Sequence, residues 1–439
     1  MSTIRIKSNV KQMLVVIVIV VFFVTLIFLN YVLFSTRAFI YEQNIKNQIP
    51  PPPSEFLWNF PISNESYCNF NYGLPQKLNF TEVDLHFPPQ EGANSSYRVL
   101  YNVVAADYEQ SVPKITYATH VTVDFVLFIS EIVRFWDGPI SIAAFVPAQD
   151  AQIFFQKFSH LCFCFAEMSR VSIHVVFPVN FEPFVEESTN TTHFQDCQVR
   201  NVFRDKFRRA EHDLFYPINV GRNVAREAAN THFVMVTDIE LIPSANLARS
   251  FLEMMQFFRG IDPITQVYVV PTFEVDVGYD LPLTKKNLLN LVDLGVAVYF
   301  HKFVCPHCQK FPGIDSWLMK QDRNSVEPFI SVKREYPFHR WEPIFIGTKQ
   351  DPFYDEALSW EGLQDKMPQM LQMCLLNYKF VILDNAFLVH WPGIKGRHKR
   401  TNDGWRTPYI KRNSGRYGQI LKQISIMSGV STNKKCRLQ

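Results

Sequence analysis

The chain has 439 residues, of which 47% are hydrophobic and 15% are aromatic. This composition supplies enough apolar side chains for one large or two ordinary domains, and it excludes an intrinsically disordered chain. The formal net charge of +3 is nearly neutral for this length, so the composition indicates no nucleic-acid partner.

A long apolar run near the amino terminus predicts a membrane anchor. Residues 13–34 are almost entirely Val, Ile, Leu and Phe, about the length needed for a helix to span a bilayer. Basic residues precede the run, so the positive-inside tendency places residues 1–12 in the cytoplasm and the rest of the chain in a lumen. A cleaved signal peptide is the alternative, but the run is too long for its apolar region. An uncleaved signal anchor is therefore predicted.

Residues 35–96 are predicted to form a lumenal stem. Consecutive prolines at 50–53 make a stiff, extended segment suited to holding a domain away from the bilayer. N-glycosylation acceptor triplets, which indicate a lumenal surface, begin at Asn64, Asn79, Asn94 and Asn190. A folded domain is then expected over residues 97–439.

The chain contains 8 cysteines, which in an oxidising lumen are expected to form disulfides. The sequence leaves their connectivity open. A zinc site is the alternative near His301, because Cys305 and Cys308 are spaced as Cys-x-x-Cys. A second cysteine pair at the spacing of a zinc finger is missing, which favours disulfides.

Predicted strands and helices alternate after residue 96. Hydrophobic spacing predicts strands over 97–104, 115–123, 140–146 and 171–177, and helices over 124–135 and 148–166. This order is typical of an α/β protein, in which helices cover a parallel sheet.

A further helix is predicted over residues 216–230, opened by Pro217 and Asn219. Arg222 and Arg226 are four residues apart and share one face of this helix, which leads directly into the next strand. Two arginines beside a bound cation are suited to clamp a diphosphate. The alternative is an exposed face on which Arg226 forms a salt bridge with a neighbour.

That next strand starts at Phe233 and ends in two carboxylates, Asp238 and Glu240. Alternate side chains of a strand point to one face, so the two carboxylates are expected to converge on one point. Close carboxylates repel each other unless a cation lies between them, and hard oxygen ligands suit Mg²⁺ or Mn²⁺. The alternative is a strand that ends in solvated acidic residues.

His390 follows another predicted strand, over residues 381–389, as Asp238 follows its own. A neutral imidazole together with two carboxylates is an acceptable ligand set for Mn²⁺. By itself His390 is more typical of a hydrogen-bonded histidine of the core.

Several motifs, taken together and in order from Tyr97 to Arg400, resemble glycosyltransferase family 49. They are Trp136-Asp-Gly-Pro-Ile-Ser141, Tyr216-Pro-Ile-Asn-Val-Gly-Arg-Asn-Val-Ala-Arg226, Asp238-Ile-Glu-Leu-Ile-Pro-Ser244, Trp341-Glu-Pro343, Tyr354-Asp-Glu356 and Phe387-Leu-Val-His390. The resemblance implies an α/β protein of the GT-A fold, with a mixed, mainly parallel sheet behind the transmembrane helix. It also implies a nucleotide-sugar donor and a single-pass type II protein of the Golgi membrane with a lumenal catalytic domain.

The resemblance also assigns the metal site. Asp238 and Glu240 occupy an Asp-x-Asp type motif, with glutamate at the second position, and His390 completes the binding of Mn²⁺ or Mg²⁺. A metal ion of this kind offsets the charge that develops on a leaving diphosphate.

Basic residues are the candidates for binding the donor. Arg222 and Arg226 lie on the predicted helix, and Lys395 and His398 lie in the basic run after His390. Each would stabilise negative charge on the diphosphate. The basic run is alternatively a solvated surface loop.

Members of such a family invert the anomeric configuration, which requires one general base to accept the proton of the acceptor hydroxyl. Asp355, Glu356 and Glu361 are the candidates, in a segment whose Tyr354 or Trp360 is suited to stack against a sugar. Each of these acids is alternatively an exposed loop residue or an acid at a helix start.

The predicted function is a metal-dependent, inverting transfer from a UDP-sugar to a glycan or glycoprotein acceptor, in β linkage. Glucuronic acid and N-acetylglucosamine are the candidate donor sugars, and a homo-oligomer remains open. A catalytically silent glycan-binding or assembly protein that keeps the fold is the alternative, with Glu240 as the mark of lost metal chemistry. A membrane-anchored metallohydrolase ranks last, because the sequence has no His-Glu-x-x-His cluster.

Overall fold

The computed structural model describes residues 62–186, 197, 214–257, 265–323, 325–391, 393–396, 403–428 and 436. The chain divides into two units, residues 1–54 and 55–439, and all described residues belong to the second. The predicted tail and anchor over residues 1–34, together with Asn190 and His398, lie outside the described residues. Within the part that is described, no helix has the length and apolar character needed to cross a membrane.

The strands, numbered in chain order, are β1 Asn69–Phe70, β2 Leu85–His86, β3 Tyr97–Ala105, β4 Ile115–Val121, β5 Ile140–Phe145, β6 Val171–Pro178, β7 Phe233–Val236, β8 Leu241–Pro243, β9 Gln266–Val269, β10 Thr272–Val275, β11 Ala297–Tyr299, β12 Glu327–Val332, β13 Phe345–Thr348, β14 Lys379–Asp384 and β15 Leu388–His390. The α-helices are α1 Phe128–Phe135, α2 Asp150–Cys164, α3 Ile218–Ala228, α4 Leu247–Phe257, α5 Lys285–Asp293, α6 Pro306–Gln309, α7 Ile314–Met319, α8 Met367–Leu375 and α9 Thr407–Ser428.

A large mixed sheet forms the centre of the domain, in the strand order β1-β3-β6-β5-β4-β7-β13-β9-β14-β12, with β2 paired to β3. Strands β6, β5, β4 and β7 are parallel neighbours, as are β9 and β14. The remaining pairs are antiparallel. The predicted α/β class with a parallel central block is confirmed, and the whole arrangement fits a GT-A-like fold.

The central strands are buried along their full length. Every residue of β4 and of β5 is buried, as expected where helices cover both faces of a parallel sheet. Helix α3 packs closely against these two strands, since a Cβ on Gly221 would lie 2.9 Å from the Cβ of His120. Glycine is therefore required there, and the close approach brings the neighbouring Arg222 to the end of the sheet.

A second, small sheet has the order β11-β10-β15-β8. Strands β10 and β15 are parallel, and β8 and β11 pair with them in antiparallel fashion. In register, His390 lies beside Glu274 on one side and beside Leu241 on the other. This sheet therefore holds Glu240, the residue before Leu241, close to His390.

The single strand predicted over residues 381–389 is a correction. The structure divides it into β14, which belongs to the large sheet, and β15, which belongs to the small one. Asn385 between them has a φ of 59°. Asparagine tolerates this left-handed conformation better than most residues, so the chain turns there and enters the second sheet.

Residues 62–96 pack on the domain, although they were assigned to the stem. Strands β1 and β2 both pair with β3, and a disulfide joins Cys68 to Cys162. The acceptor residues Asn64, Asn79 and Asn94 are exposed, as an N-linked glycan requires.

The predicted disulfides are confirmed. The pairs are Cys68–Cys162, Cys164–Cys197, Cys305–Cys308 and Cys374–Cys436. Since the sulfurs of Cys305 and Cys308 are bonded to each other, they are not thiolate ligands for zinc.

Candidate active site

The two carboxylates of the Asp-x-Glu motif lie on a turn between the two sheets. Strand β7 ends at Val236, and the backbone N–H of Leu241 donates to the carbonyl of Asp238 at 3.1 Å. The Tyr117 hydroxyl donates to the carbonyls of both residues, at 3.1 Å to Asp238 and 2.8 Å to Leu241. The expected strand alternation therefore does not apply, because the strand ends before the first carboxylate.

Three basic side chains surround the carboxylate of Asp238. Arg222 Nη2 and His120 Nε2 lie 3.0 and 3.3 Å from Oδ1, and Lys366 Nζ lies 3.7 Å from Oδ2. Burial alone would raise the pKa of Asp238, but the charges of Lys366 and Arg222 hold it well below its ordinary value. Asp238 is therefore an anion, held at the centre of a cationic group.

Arg222 reaches Asp238 from helix α3. Its guanidinium also donates to Asn219 Oδ1 at 3.0 Å and forms an ion pair with Asp365. Because its side chain is 2% exposed, these partners fix its position before any ligand arrives.

Arg226, one turn later, has a different environment. It donates to the carbonyl of Pro352 at 3.0 Å and its guanidinium lies 4.6 Å from the centre of the Phe353 ring. Its side chain is buried against this segment. The structure thus places only the first of the two predicted arginines at the acidic turn.

Glu240 faces the other way from Asp238, toward the small sheet. Its Oε1 lies 3.7 Å from His390 Nε2, and its Oε2 lies 3.1 Å from Lys395 Nζ. Burial favours the protonated acid, but the contact with His390 and the charge of Lys395 lower the pKa of Glu240 to about 2. Glu240 is therefore ionised.

The other nitrogen of His390 fixes how the ring is protonated. His390 Nδ1 lies 3.0 Å from the carbonyl oxygen of Gly393, which can only accept a hydrogen bond. In a neutral ring the proton is therefore on Nδ1, and the lone pair of Nε2 faces the carboxylate of Glu240. Either a proton on Nε2 or a metal cation between the two groups makes this contact favourable, and metal-binding histidines are commonly held through their other nitrogen in this way.

Asp238 lies apart from this pair. No choice of one ligand atom from each of Asp238, Glu240 and His390 puts all three within 4.8 Å of one another in the described structure. Mg²⁺ is often held by one or two protein carboxylates together with substrate phosphates. Glu240 and His390 therefore fit a divalent ion that would take further ligands from a diphosphate, whereas Asp238 contacts Arg222, His120 and Lys366.

A further carboxylate, Glu274, lies behind the pair on β10. It is 0% exposed and is the register neighbour of His390. Burial raises the pKa of Glu274 to about 7, although the backbone N–H groups of His301 and Lys395 have the opposite effect. The sequence analysis did not single it out, although one carboxylate inside an apolar, strand-forming run is a usable signal.

The three predicted general bases are buried and hydrogen-bonded. Glu356 accepts from the backbone N–H groups of Gln90 and Glu91 and from Asn223 Nδ2. Glu361 accepts from the backbone N–H of Tyr216, and an Asp355 oxygen accepts from the N–H of Ala357. The structure brings none of the three into contact with Asp238, Glu240 or His390 among the residues it describes.

The predicted sugar platform is also divided. Tyr354 is 5% exposed, so its ring is part of the interior. Trp360 is 36% exposed, and the guanidinium of Arg406 lies 4.0 Å from its ring centre. Trp360 therefore keeps a solvent-facing aromatic surface.

Other residues of the site received no role from the sequence, although Glu342 lies in the Trp341-Glu-Pro343 motif. His120, Asp365, Lys366 and Glu342 come from a central strand and from two loops far apart in the chain. Only the fold brings them together. A histidine inside the buried strand β4 was a further signal, since such a group needs a polar partner.

Comparisons with known proteins identify the family of this chain. Residues 114–428 match the model of the family described as "Glycosyl-transferase for dystroglycan". Beta-1,4-glucuronyltransferase 1 of Bos taurus is 28% identical over 315 residues, which cover 68% of this chain and 72% of that protein. Its Homo sapiens counterpart is 28% identical over 319 residues, with the same coverage. The xylosyl- and glucuronyltransferase LARGE2 of Mus musculus is 25% identical over 285 residues, which cover 63% of this chain and 34% of that protein.

Proposed function

The chain belongs to the glycosyltransferase family described as "Glycosyl-transferase for dystroglycan", and from this premise we propose that it transfers a sugar from a UDP-sugar to a glycan or glycoprotein acceptor, in β linkage and with inversion. Glucuronic acid is the first candidate, because relatives are named glucuronyltransferases, and N-acetylglucosamine is the second. The resemblance of the described domain to a GT-A fold supports a nucleotide-sugar donor.

The proposal includes a divalent metal ion, Mn²⁺ or Mg²⁺. The observation that carries it is the pair of Glu240 and His390, in which an imidazole lone pair faces an ionised carboxylate. A bound ion would act as a Lewis acid on the leaving diphosphate. This is the donor set that a small, hard cation with phosphate ligands requires.

Side chains of the protein contribute positive charge at the same place. Arg222 and Lys366 lie beside Asp238, and Lys395 lies beside Glu240. Cations that are already held in position stabilise charge on a departing diphosphate with little reorganisation. Arg222 is the most firmly held of the three.

We place the protein in the Golgi membrane, as a single-pass type II protein with a lumenal catalytic domain. The apolar run over residues 13–34 supports the anchor. Exposed glycosylation triplets and paired cysteines support an oxidising, lumenal compartment.

The test is UDP release by the full-length protein from a panel of UDP-sugars, with an acceptor glycan, in Mn²⁺, in Mg²⁺ and in excess chelator. We expect turnover with one donor that is lost in chelator and restored by Mn²⁺. Turnover that is equally fast in chelator would contradict the metal-dependent mechanism. A surface variant on helix α5, Asp293→Asn, should behave as the wild type.

A second function is favoured by one specific contact. Lys395 Nζ lies 3.1 Å from Glu240 and supplies the positive charge that a metal ion would otherwise supply. A silent glycan-binding protein would keep this internal pair and would not bind metal. Calorimetry separates the two functions, since an enzyme should bind UDP more tightly in Mn²⁺ and a silent relative should not.

A further inference from the structure

One carboxylate near the acidic turn is only partly buried and has no ion-pair partner among the described residues. Glu342 lies between the buried Trp341 and Pro343, just before strand β13. Its backbone N–H donates to the carbonyl of Cys308 at 2.8 Å, and Arg334 Nε donates to the carbonyl of Trp341. The backbone is thus fixed on both sides, while the side chain remains partly exposed.

Charged groups from two loops and from helix α3 act on the charge of this carboxylate. They are Lys366, Asp365, Arg334 and Arg222. Two of them, Lys366 and Arg222, also lie beside Asp238. The same two cations therefore act on Asp238 and on Glu342. Contacts of Arg334 connect the two places, since it donates to the carbonyl next to Glu342 and its Nη2 lies 3.5 Å from the sulfur of Met367, the residue after Lys366.

The other acids of this region already have strong partners. Asp238 and Glu240 are held by basic side chains, and Asp365 is paired with Arg222. Glu274 is fully buried behind the small sheet. In the described structure, Glu342 is the acid of this group whose carboxylate is partly open and has no hydrogen-bond or ion-pair partner.

We propose that Glu342 is the general base of the transfer reaction, an inference that rests on the proposed function. Its carboxylate would accept the proton of the acceptor hydroxyl while that oxygen forms a bond to the anomeric carbon. The bond from this carbon to the diphosphate oxygen breaks, and its electron pair leaves with UDP. The proton on Glu342 is then released to water.

The acidity of this group suits that role. Burial raises the pKa of Glu342 to about 7, since it outweighs the opposite effect of Lys366, and the charge of Asp365 adds to the rise. A general base is most effective when its pKa lies near the operating pH. The role earlier assigned to Asp355, Glu356 or Glu361 thus passes to a residue of the Trp-Glu-Pro motif.

The test compares Glu342→Gln with the control Glu335→Gln, which removes a carboxylate from the same loop. Loss of a general base should lower kcat for transfer by about 10²- to 10⁴-fold. The Kd for UDP in Mn²⁺ should stay unchanged, because the donor contacts remain. The control should keep both values.

The pH profile adds a readout that a structural role would not move. In the wild type, kcat/KM should fall about tenfold per pH unit below a pKa near 7, because the protonated acid accepts no proton. Glu342→Gln should lose this limb. If Glu342→Gln does not fold, the wild-type pH profile and the variant Glu342→Asp still test the proposal. Glu342→Asp should keep the acidic limb of the profile, at a lower kcat.

Two results would overturn the proposal. In the first, Glu342→Gln keeps a wild-type kcat or the wild-type profile has no acidic limb. In the second, the variant loses UDP affinity together with kcat, which would make Glu342 a donor-binding residue. A wild type that transfers no sugar from any UDP-sugar refutes the proposed function itself, and the base with it.

Discussion

Two acidic segments of this chain have similar sequences and opposite environments. Asp238 and Glu240 lie on a turn, are partly exposed and contact basic side chains. Residues 355–361, in contrast, contain buried carboxylates that accept hydrogen bonds. Both segments combine acids with apolar neighbours. The difference teaches that carboxylate spacing alone does not distinguish an active-site acid from an acid that supports the fold.

The physical distinction is in the partners. Asp238 and Glu240 face the basic side chains of Arg222, Lys366 and Lys395, whose positive charge can be shared with a substrate. Glu356 and Glu361 accept hydrogen bonds from backbone N–H groups, and such donors are costly to leave unpaired. Residues 355–361 therefore help to hold Arg222 in place indirectly. Asn219 and Asn223, which lie on helix α3 with Arg222, donate hydrogen bonds to this segment.

The largest expected effect is that of Asp238→Asn. The amide cannot balance Arg222 and Lys366, so the charges at the donor site are no longer held in place. We expect a loss of about 10³-fold in kcat/KM. Steady-state UDP release measures it, with Glu356→Gln as the matched control from the other segment. Equal losses in the two variants would remove the contrast between the segments.

Glu356→Ala should act on stability instead. It leaves the backbone N–H groups of Gln90 and Glu91 and the amide of Asn223 without their acceptor. We expect the free energy of unfolding to fall by about 3 kcal/mol. Urea denaturation measures this change. A large fall in kcat with unchanged stability would instead restore Glu356 as a catalytic candidate.

Glu240→Asp shortens the side chain that faces His390 and Lys395. The carboxylate withdraws from both, so the Mn²⁺ concentration for half-maximal activity should rise about tenfold. Titration of activity with Mn²⁺ measures the shift. An increase in activity would favour the silent protein, in which Glu240 marks lost metal chemistry.

The smallest effect is a pH dependence of stability. Burial raises the pKa of Glu356 to about 7, above the ordinary value for glutamate, so the folded state holds this proton at pH values where the unfolded state has lost it. Stability from this group is therefore full at low pH and decreases as the pH rises toward 7, by up to about 1.4 kcal/mol per pH unit. Unfolding of wild type and Glu356→Gln at pH 5, 6 and 7 should differ by this slope; parallel curves would contradict it.

Much of the fold was accessible from hydrophobic pattern. Strands β3 to β6 and helices α2 and α3 agree with prediction to within a few residues, because buried strands and amphipathic helices carry strong periodic signals. The predicted helix over 124–135 begins instead with a short 3₁₀ turn, Val123–Phe125, before α1. The division of residues 381–389 into two strands at Asn385 could not be predicted from the sequence. It depends on which sheet each half of this apolar run pairs with in the folded protein.

The sequence by itself determined the α/β class, the family and the choice of Asp238, Glu240 and His390 as candidate metal ligands, of which the structure brings Glu240 and His390 together. These follow from local periodicity and from motifs that lie within a few residues of one another. Tertiary structure alone decided which acids are open and which are buried. Glu342, Lys366 and Arg222 come from separate parts of the chain, and only the packing of α3 and two loops at the end of the sheet sets their distances and charges.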